Sequence, residues 1–365
     1  MNIHKLEKYK LYKVILVSSF SNNARNLAAL AAVAASTCAF AQSSVTLFGV
    51  IDAAVAVGNG STSNKTQLKN SGYNSSRIGF RGTEDLGGGL KASFWLEAGV
   101  NNDDGTGSAS NTNNQTVTNA NAGTQGLTFN RRSTVSLEGD FGEVRLGRDY
   151  TPQFWTETAY DPFGTNGVGT NVAFNKGGVT GVRASNSLGY LSPSFGGMKV
   201  WLQTYVGENA STAAKAGDGS AVRLSYDAGP LSLALATSST TVAAGVKNKT
   251  SNIGASYDLG VAKLMAQTNL TKIDGSVDIK GYVVGATAPL GSGAVRLALS
   301  ETAQGDVKSN LAAIGYVYNL SKRTDLYATY ANVKNKGGAA VALNGSVTGT
   351  NRSSSGYDLG IKHSF

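Results

Sequence analysis

The segment SGYDLGIKHSF, residues 355–365, alternates between two kinds of side chain. Tyr357, Leu359, Ile361, His363 and Phe365 share one parity, and the residues between them are small, polar or charged. Successive side chains of a β-strand point to opposite faces, so the segment predicts a strand with one apolar face that has aromatic ends. A soluble edge strand can alternate in the same way, but soluble chains rarely finish on a bulky apolar residue. The rest of the chain decides whether this face meets lipid.

The same two-residue period recurs in sixteen segments between residues 44 and 365. Short connections such as residues 140–141 alternate with long polar ones such as residues 101–126. Short turns at one rim and long loops at the other are typical of outer-membrane barrels, whose strands need about 9–11 residues. A β-solenoid would show a fixed repeat of about 20–50 residues, which the sequence lacks. We therefore predict an all-β protein, a 16-stranded antiparallel transmembrane β-barrel.

The N-terminal region has the composition of an export signal. Four lysines and Arg25 precede the small apolar run LAALAAVAASTCAFA, in which residues 39–41 form an A-x-A cleavage site. We predict a signal peptide over residues 1–41 and a barrel over residues 42–365. The long basic region fits either an extended signal or a translation start placed too early. Cys38, the single cysteine, is expected to be a small apolar residue of the signal.

Charge and composition argue against several function classes. The chain carries a formal charge of +9, and residues 1–41 contain five Lys or Arg and one Glu, so about +5 remains on the barrel. No basic run interleaved with aromatic residues indicates nucleic-acid binding. His363 is the one histidine beyond residue 41, so we expect no hydrolase with a base beside its nucleophile. We predict no metal and no cofactor, because Asp103 and Asp104 lack the spaced ligands of a calcium loop.

Seven segments, in order along the chain, resemble the general trimeric porins of Gram-negative outer membranes, particularly those of β-proteobacteria. They are SSVTLFGVIDAAV, SRIGFRGTEDLGGGLKASFWLE, GEVRLGRDYTP, YDPFG, SNSLGYLSPSFGG, YNLSKRTDLYATYANV and GYDLGIKHSF, spread over residues 43–365. One such match would be weak, whereas seven in the right order are specific. The resemblance implies a water-filled channel in each subunit, a homotrimer, and a third external loop folded into the barrel.

The resemblance also implies a constriction in which wall arginines face acidic residues on the inward loop. Carried onto this sequence, the basic side consists of Arg77, Arg131, Arg132, Lys176 and Arg183, and the acidic side of Glu157 and Asp161. Such an arrangement would create a field across the pore.

Side-chain parity supports part of this assignment. Ile78 and Phe80 take the lipid parity of their segment, so spacing alone places Arg77 on the lumen face. For the next pair the two arguments differ. The family match favours Arg131, whereas the parity of the following valine and leucine favours Arg132, and both stay open.

These features favour passive diffusion of ions and small hydrophilic solutes across a Gram-negative outer membrane, with a weak preference for anions and no enzymatic activity. Two alternatives remain. A substrate-specific channel would line its lumen with an aromatic track including Trp95 and Trp201, and an adhesin or receptor barrel would have a plugged lumen. The expected partners are outer-membrane lipid, lipopolysaccharide and the barrel assembly machinery. The resemblance implies that this machinery recognises the terminal pattern that ends at Phe365.

Overall fold

The computed structural model describes residues 44–115, 124–174, 176, 178–210 and 215–365. The predicted signal peptide, residues 1–41, lies outside them. The described chain contains an α-helix, α1 (Pro152–Ala159), a 3₁₀ turn (Gly178–Thr180) and many β-strands. None of the described helices is long and apolar enough to cross a membrane.

The described residues form nineteen strands in one connected sheet order. They are β1 (Ser44–Asn59), β2 (Lys65–Asn70), β3 (Arg77–Gly87), β4 (Leu90–Asn101), β5 (Thr106–Ser108), β6 (Thr124–Gln125), β7 (Arg132–Gly139), β8 (Gly142–Tyr150), β9 (Arg183–Leu191), β10 (Met198–Tyr205), β11 (Gly219–Ala228), β12 (Leu231–Ala243), β13 (Val246–Asp258), β14 (Lys263–Ile273), β15 (Ile279–Leu290), β16 (Gly293–Gln304), β17 (Val307–Asn319), β18 (Thr324–Lys336) and β19 (Ser354–Ser364). Strands β5 and β6 belong to a long loop, and β2 and β3 lie in line against β1 as two parts of one wall strand, so the wall has sixteen strands.

The wall closes where β19 pairs with β1 in antiparallel register, from Val50 opposite Ser364 to Asn59 opposite Ser355. Phe365 extends this seam by two backbone hydrogen bonds with Gly49, of 3.0 and 3.1 Å. All other wall strands pair antiparallel with their neighbours along the chain. Closure satisfies both edges of every wall strand, which a bilayer requires because hydrocarbon offers no hydrogen-bond partner. The predicted 16-stranded antiparallel barrel is confirmed.

The two faces of the wall differ as the alternation predicts. On β1, Val45 and Leu47 are exposed on the outer face, whereas Asp52 and Ala54 are buried inside. On β19 the outer face carries exposed apolar residues and aromatic Phe365. Among the exposed large hydrophobic side chains, leucine, valine, tyrosine and isoleucine are frequent, which suits a surface in contact with lipid.

The connections match the expected pattern at one rim and depart from it at the other. One end of the barrel, called the turn rim, has short links throughout, from residues 88–89 to residues 320–323. The opposite end is called the loop rim. At the loop rim, three connections that were expected to be long are short, at residues 244–245, 274–278 and 305–306. The flanking strands are longer there, because their hydrogen-bonded ladder continues where both faces are polar and the apolar alternation has ended.

One strand of the wall is interrupted by an inward excursion. β2 and β3 both pair with β1, β2 along Ala53–Gly58 and β3 along Ser44–Val50. Between them, residues 71–76, here called the inserted segment, leave the ladder. The Asp52 carboxylate fixes this segment, because Oδ2 accepts hydrogen bonds from the backbone N–H groups of Tyr73 at 2.8 Å and Asn74 at 2.5 Å.

Asp52 is also bound to the opposite side of the seam. Its Oδ1 accepts a hydrogen bond from the Tyr327 hydroxyl at 2.5 Å, and its side chain is fully buried. The inserted segment in turn touches the third external loop, where Ser75 Oγ donates to Asn166 Oδ1 at 2.8 Å. One carboxylate therefore ties β1, β18 and the inserted segment together.

The third external loop, residues 151–182 and called loop 3 from here, folds into the barrel as predicted. Wall side chains hold it along its length: Asn252 donates to the Gln153 carbonyl and Gln267 to the Glu157 carbonyl, both at 2.9 Å. Further round the wall, Ser300 Oγ accepts from the Val172 N–H at 3.1 Å. Loop 3 therefore lies against the inner wall and narrows the lumen.

The far end of loop 3 is held by the last strand. Asp358 of β19 is buried, and its Oδ2 accepts a hydrogen bond from the Val168 N–H at 2.8 Å. Its other oxygen accepts from Asn344 of the final loop, also at 2.8 Å. Apolar packing adds to this, because Phe163 and Val168 share a buried cluster with residues of β15–β18.

Deletion of Phe365 is expected to reduce the amount of folded protein in membranes. The deletion removes two backbone hydrogen bonds to Gly49 and the ring that covers this glycine, where a Cβ would lie 2.3 Å from the ring. An open seam leaves strand-edge groups unpaired in hydrocarbon, at a cost of several kcal/mol per group. The measurement is the heat-shifted gel band of the folded form, with Phe365→Tyr as the conservative control. Equal band intensity from the truncated and full-length chains would contradict this role.

Candidate constriction of the pore

A carboxylate on the inner wall gathers two of the predicted arginines. Arg131 Nε donates to Glu97 Oε1 at 2.5 Å, and Arg77 Nε lies 3.7 Å from the same oxygen. Trp95 Nε1 donates to Glu97 Oε2 at 3.1 Å. Glu97 is only 5% exposed, so its carboxylate interacts mainly with these side chains and little with solvent. Arg77 also donates to the inserted segment, through Nη1 to Asn74 Oδ1 at 3.0 Å.

A tyrosine hydroxyl links a third arginine to this group. Tyr150 Oη accepts hydrogen bonds from Arg131 Nη2 at 2.6 Å and from Arg183 Nη2 at 2.9 Å. The Arg183 guanidinium also lies over the Tyr150 ring, with Cζ 4.4 Å from the ring centroid. Phe154 of α1 stacks on the same ring at 4.8 Å. Loop 3 therefore packs against the aromatic residue that positions two of the arginines.

A fourth arginine, Arg148, joins the group although the sequence analysis did not select it. Its Nε donates to the Asn130 carbonyl at 2.6 Å and its Nη1 to Ser185 Oγ at 2.7 Å. It lies at the end of β8, next to β9, the strand that begins with Arg183. Arg77, Arg131, Arg148 and Arg183 are called the arginine cluster below.

A β-bulge explains why parity did not indicate Arg148. The pairing of β8 with β9 shifts register between Gly147 and Asp149. Gly147 has φ +122°, and a Cβ there would lie 2.1 Å from the Ser133 carbonyl oxygen, so this bulge requires glycine. The bulge turns Arg148 inward, whereas simple alternation places it with outward-facing Leu146. Glu97, by contrast, follows the inward parity of β4 and could have been selected.

Arg132 also lies on the inner wall, but it belongs to a different group. Its Nε donates to Thr134 Oγ1 at 3.0 Å and lies 3.7 Å from Asp149 Oδ1. Arg145 shares Asp149 and also pairs with Glu143, at 2.8 Å. The structure thus places both members of the Arg131 and Arg132 alternative inside. Arg131 joins the arginine cluster, and Arg132 joins a group whose charges are balanced.

The two acidic residues of loop 3 are placed differently from the expectation. Glu157 is 2% exposed and Asp161 is 4% exposed. Asp161 folds the loop itself, because it accepts hydrogen bonds from the Phe163 N–H at 2.9 Å and from Asn171 Nδ2 at 2.7 Å. Burial raises the pKa of the Asp161 carboxyl, and the hydrogen bonds from Asn171 and Phe163 oppose that shift. Neither carboxylate is presented to the pore.

Lys176, the remaining predicted basic residue, lies on loop 3 and is partly buried. Burial lowers the pKa of its ammonium group, while the attraction of Glu157 raises it. Its charge is therefore partly balanced by the acid of the same loop. The arginine cluster, in contrast, sets four guanidinium groups against one carboxylate among the described residues. Positive side chains therefore outnumber acidic ones in this group.

The two inner-wall tryptophans expected to form an aromatic track, Trp95 and Trp201, do not present open ring faces. Two cations lie over Trp95, Arg81 with Cζ at 5.1 Å and Arg132 with Cζ at 4.7 Å from the ring. Trp201 is 7% exposed and lies 6.5 Å from Trp155 of α1. A sugar track needs free faces on which rings can stack, and neither Trp95 nor Trp201 offers one. In the described ranges, no group of three His, Cys, Asp or Glu side chains is placed to hold a metal ion.

Known proteins resemble this chain in both sequence and structure. The family model described as Gram-negative porin matches residues 27–338. The outer membrane porin protein 32 of Delftia acidovorans is 40% identical over 357 residues, which cover 91% of this chain and 97% of that protein.

Solved structures agree with the sequence relatives. An anion-selective porin from Comamonas acidovorans is 38% identical and superposes with a TM-score of 0.78, covering 89% of this chain and all of that one. The OmpF porin of Salmonella typhi, 17% identical with a TM-score of 0.63 over 88% of this chain and 97% of that one, shares the fold. Together with the closed barrel and its inward third loop, these matches show that the chain belongs to the Gram-negative porin family of outer-membrane channels.

Proposed function

We propose that this porin lets ions and small hydrophilic solutes diffuse passively and that it prefers anions. The observation that carries the preference is the charge balance of the arginine cluster, in which two of the four guanidinium groups share one carboxylate, Glu97, and the other two, Arg148 and Arg183, bond to neutral oxygen atoms. The acids of loop 3 are buried and do not offset this charge. A narrow site with low-dielectric walls focuses such a field on passing ions. The anion selectivity of the similar Comamonas acidovorans porin supports the same sign.

The expected result is a higher permeability for chloride than for potassium. Reversal potentials across planar bilayers under a KCl gradient at low ionic strength measure it directly. Salt at about 1 M shortens the Debye length to about 3 Å and should remove most of the preference. A wild-type channel that prefers potassium would show that the net sign of the constriction is wrong.

A single substitution tests the role of the carboxylate. Glu97→Gln removes the one acid of the arginine cluster, so the preference for chloride should increase relative to wild type. Glu138→Gln is the matched control, because Glu138 lies near the turn rim and bonds Ser93 Oγ instead of an arginine. If both variants shift the reversal potential equally, the net charge of the protein sets the preference for chloride, and the proposed constriction does not.

The proposal extends to assembly and export. We infer a homotrimer, as the family resemblance implies, with the seam strand β19 recognised by the barrel assembly machinery and lipopolysaccharide surrounding the loop rim. Cleavage after residue 41 would release the mature chain. Cross-linking of the folded protein in membranes, followed by mass spectrometry of the N-terminal peptide, tests the trimer and the cleavage site separately. We propose no enzymatic activity and no cofactor for this chain.

A further inference from the structure

The outer face of the barrel carries a group of lysines on one side of the loop rim. Each of them shares the parity of exposed apolar residues on its own strand, such as Ile253 on β13 and Ile314 on β17, and therefore points outward. The group, called the lysine arc here, extends over β13–β18. It consists of Lys247, Lys249, Lys272, Lys280, Lys308, Lys334 and Lys336, all of them exposed. The outward positions of β1–β4 at the same rim hold no lysine.

The register of the sheet sets lysines of the arc directly beside each other. Lys249 of β13 lies opposite Lys272 of β14, and Lys308 of β17 lies opposite Lys336 of β18. Like charges in directly opposite positions repel each other and destabilise a sheet. Lys280 of β15 lies between the two pairs, so the positive charges follow one another around the rim.

Acidic side chains balance little of this charge. Among the described residues, one ion pair reaches the arc, from Lys272 Nζ to Asp278 Oδ2 at 3.5 Å, and both of its side chains are exposed. Glu301 is the one acid at an outward position of β13–β18, and Asp274 and Asp306 lie in the connections between these strands. The excess of positive charge along the rim suits a partner that carries several negative groups.

Tyrosines show the level of the arc relative to the bilayer. Tyr282 occupies the next outward position after Lys280 on β15, and Tyr330 lies two outward positions from Lys334 on β18. Their side chains are 44% and 48% exposed. Aromatic residues of barrels gather where hydrocarbon meets the polar headgroups. The lysines lie beyond them on the loop side, and short turns face the periplasm, so the arc lies at the headgroup level of the outer leaflet.

A groove in the outer face borders the first lysine pair. It has a volume of about 600 Å³, and Lys249 and Lys272 form part of its edge. Small outward side chains leave this space open, among them Thr237 and Ser251, whose hydroxyl groups bond to each other at 2.9 Å. The apolar side chains that line the groove are Leu188, Leu202, Val222 and Leu270. A groove of this size and lining suits a hydrocarbon chain whose charged headgroup lies at the lysines.

We propose that the lysine arc and this groove bind the lipid A part of lipopolysaccharide directly, without a bridging metal ion. The proposal rests on the proposed position of the loop rim in the outer leaflet, and it names the site and the chemistry of that contact. Lipid A combines phosphate groups at headgroup level with acyl chains in the hydrocarbon, which matches the lysines and the groove. Carboxylates would hold phosphates through a divalent cation, whereas ammonium groups pair with them directly.

Lipid A is the probe, and native mass spectrometry of the folded protein in mild detergent with EDTA measures its binding. The test variant combines Lys249→Gln, Lys272→Gln and Lys280→Gln. One lysine near a membrane surface strengthens the binding of anionic lipid about fivefold, so the triple change should weaken lipid A binding about a hundredfold. Arginine at the same three positions keeps the charge and should bind lipid A about as tightly as wild type.

The matched control removes the same charge from the turn rim. Lys91, Lys199 and Lys322 are exposed there, and replacing all three by glutamine should leave lipid A binding unchanged. The groove is tested without a change of charge by Ser251→Phe, which fills it. This variant should weaken lipid A binding about tenfold, because an acyl chain loses its buried contacts.

Four results would overturn the lipid site. EDTA could release all lipid A from wild type, phosphatidylglycerol could bind as tightly as lipid A, the loop-rim variant could bind like wild type, or the turn-rim variant could lose as much binding as the loop-rim variant. The proposed pore is tested separately, because wild type and both lysine variants should give chloride steps in planar bilayers free of lipopolysaccharide. A protein that binds lipid A but gives no such steps would refute the pore and support the lipid site.

Discussion

A channel in which Arg77, Arg131 and Arg183 are all replaced by glutamine is expected to lose its preference for chloride and to favour potassium. The substitution removes both arginines that contact Glu97 and the arginine that shares the Tyr150 hydroxyl with Arg131, so the Glu97 carboxylate keeps no cationic partner within 4.0 Å among the described residues. A unit charge at 4 Å contributes about 1 kcal/mol even at the dielectric constant of water. That corresponds to about fivefold in permeability for each arginine, since about 1.4 kcal/mol is a factor of ten. Reversal potentials at low ionic strength give the permeability ratio of the two ions.

The control for this triple change removes the same charge from the outside of the barrel. Lys249, Lys272 and Lys280 are exposed near the loop rim, and replacing all three by glutamine should change selectivity little. Screening explains the contrast, because these charges face solvent and the outer surface instead of the path of the ions. If the lysine variant shifted the ratio as much as the arginine variant, distant charge would set selectivity and the arginine cluster would not.

Replacement of Asp52 by alanine is expected to lower the free energy of unfolding by about 2–5 kcal/mol. The change leaves three donors without their acceptor, the N–H groups of Tyr73 and Asn74 and the Tyr327 hydroxyl. Each unsatisfied buried donor costs about 1–3 kcal/mol, and relaxation of the inserted segment recovers part of the sum. Urea unfolding of the reconstituted barrel measures the loss.

The chain offers controls for Asp52 in both chemistry and position. Asp52→Asn keeps one acceptor oxygen and should lose less stability than the alanine variant. Asp140→Ala makes the same chemical change on an exposed turn and should have little effect. The inserted segment touches loop 3 at Asn166, so release of the segment should also broaden the distribution of single-channel conductance. Unchanged stability and conductance in Asp52→Ala would show that the segment is held by other contacts.

Most of the wall could be predicted because the bilayer enforces a simple rule. Outside the barrel only apolar side chains are stable, so parity along β1 and β19 shows directly which residues face lipid. Parity no longer predicts the strands near the loop rim, where the outer face of the barrel is not apolar. There β12 and β13 continue as paired strands through Thr240 and Lys249, where both faces are polar and the sequence looks like a loop. Backbone hydrogen bonds between the two strands stabilise these extensions, and the sequence pattern does not indicate them.

The constriction could be predicted only in part, for reasons that differ between residues. Arg77 follows strand parity, and the family resemblance supplied Arg131 and Arg183. Arg148 was missed because a single bulge at Gly147 reverses the parity of its strand. The burial of Asp161 depends on how loop 3 turns back on Asn171, and no periodic pattern describes a loop.

The attachment of loop 3 to Asp358 has a consequence for the timing of assembly. The acceptor for the Val168 N–H lies on β19, the strand that also completes the seam with β1. Until β19 is in place, the far end of loop 3 has no such acceptor. The final position of this end of loop 3 therefore depends on circularisation of the sheet, whereas side chains of earlier strands hold the rest of the loop. The strand that completes the wall thus also completes the support of the loop that narrows the lumen.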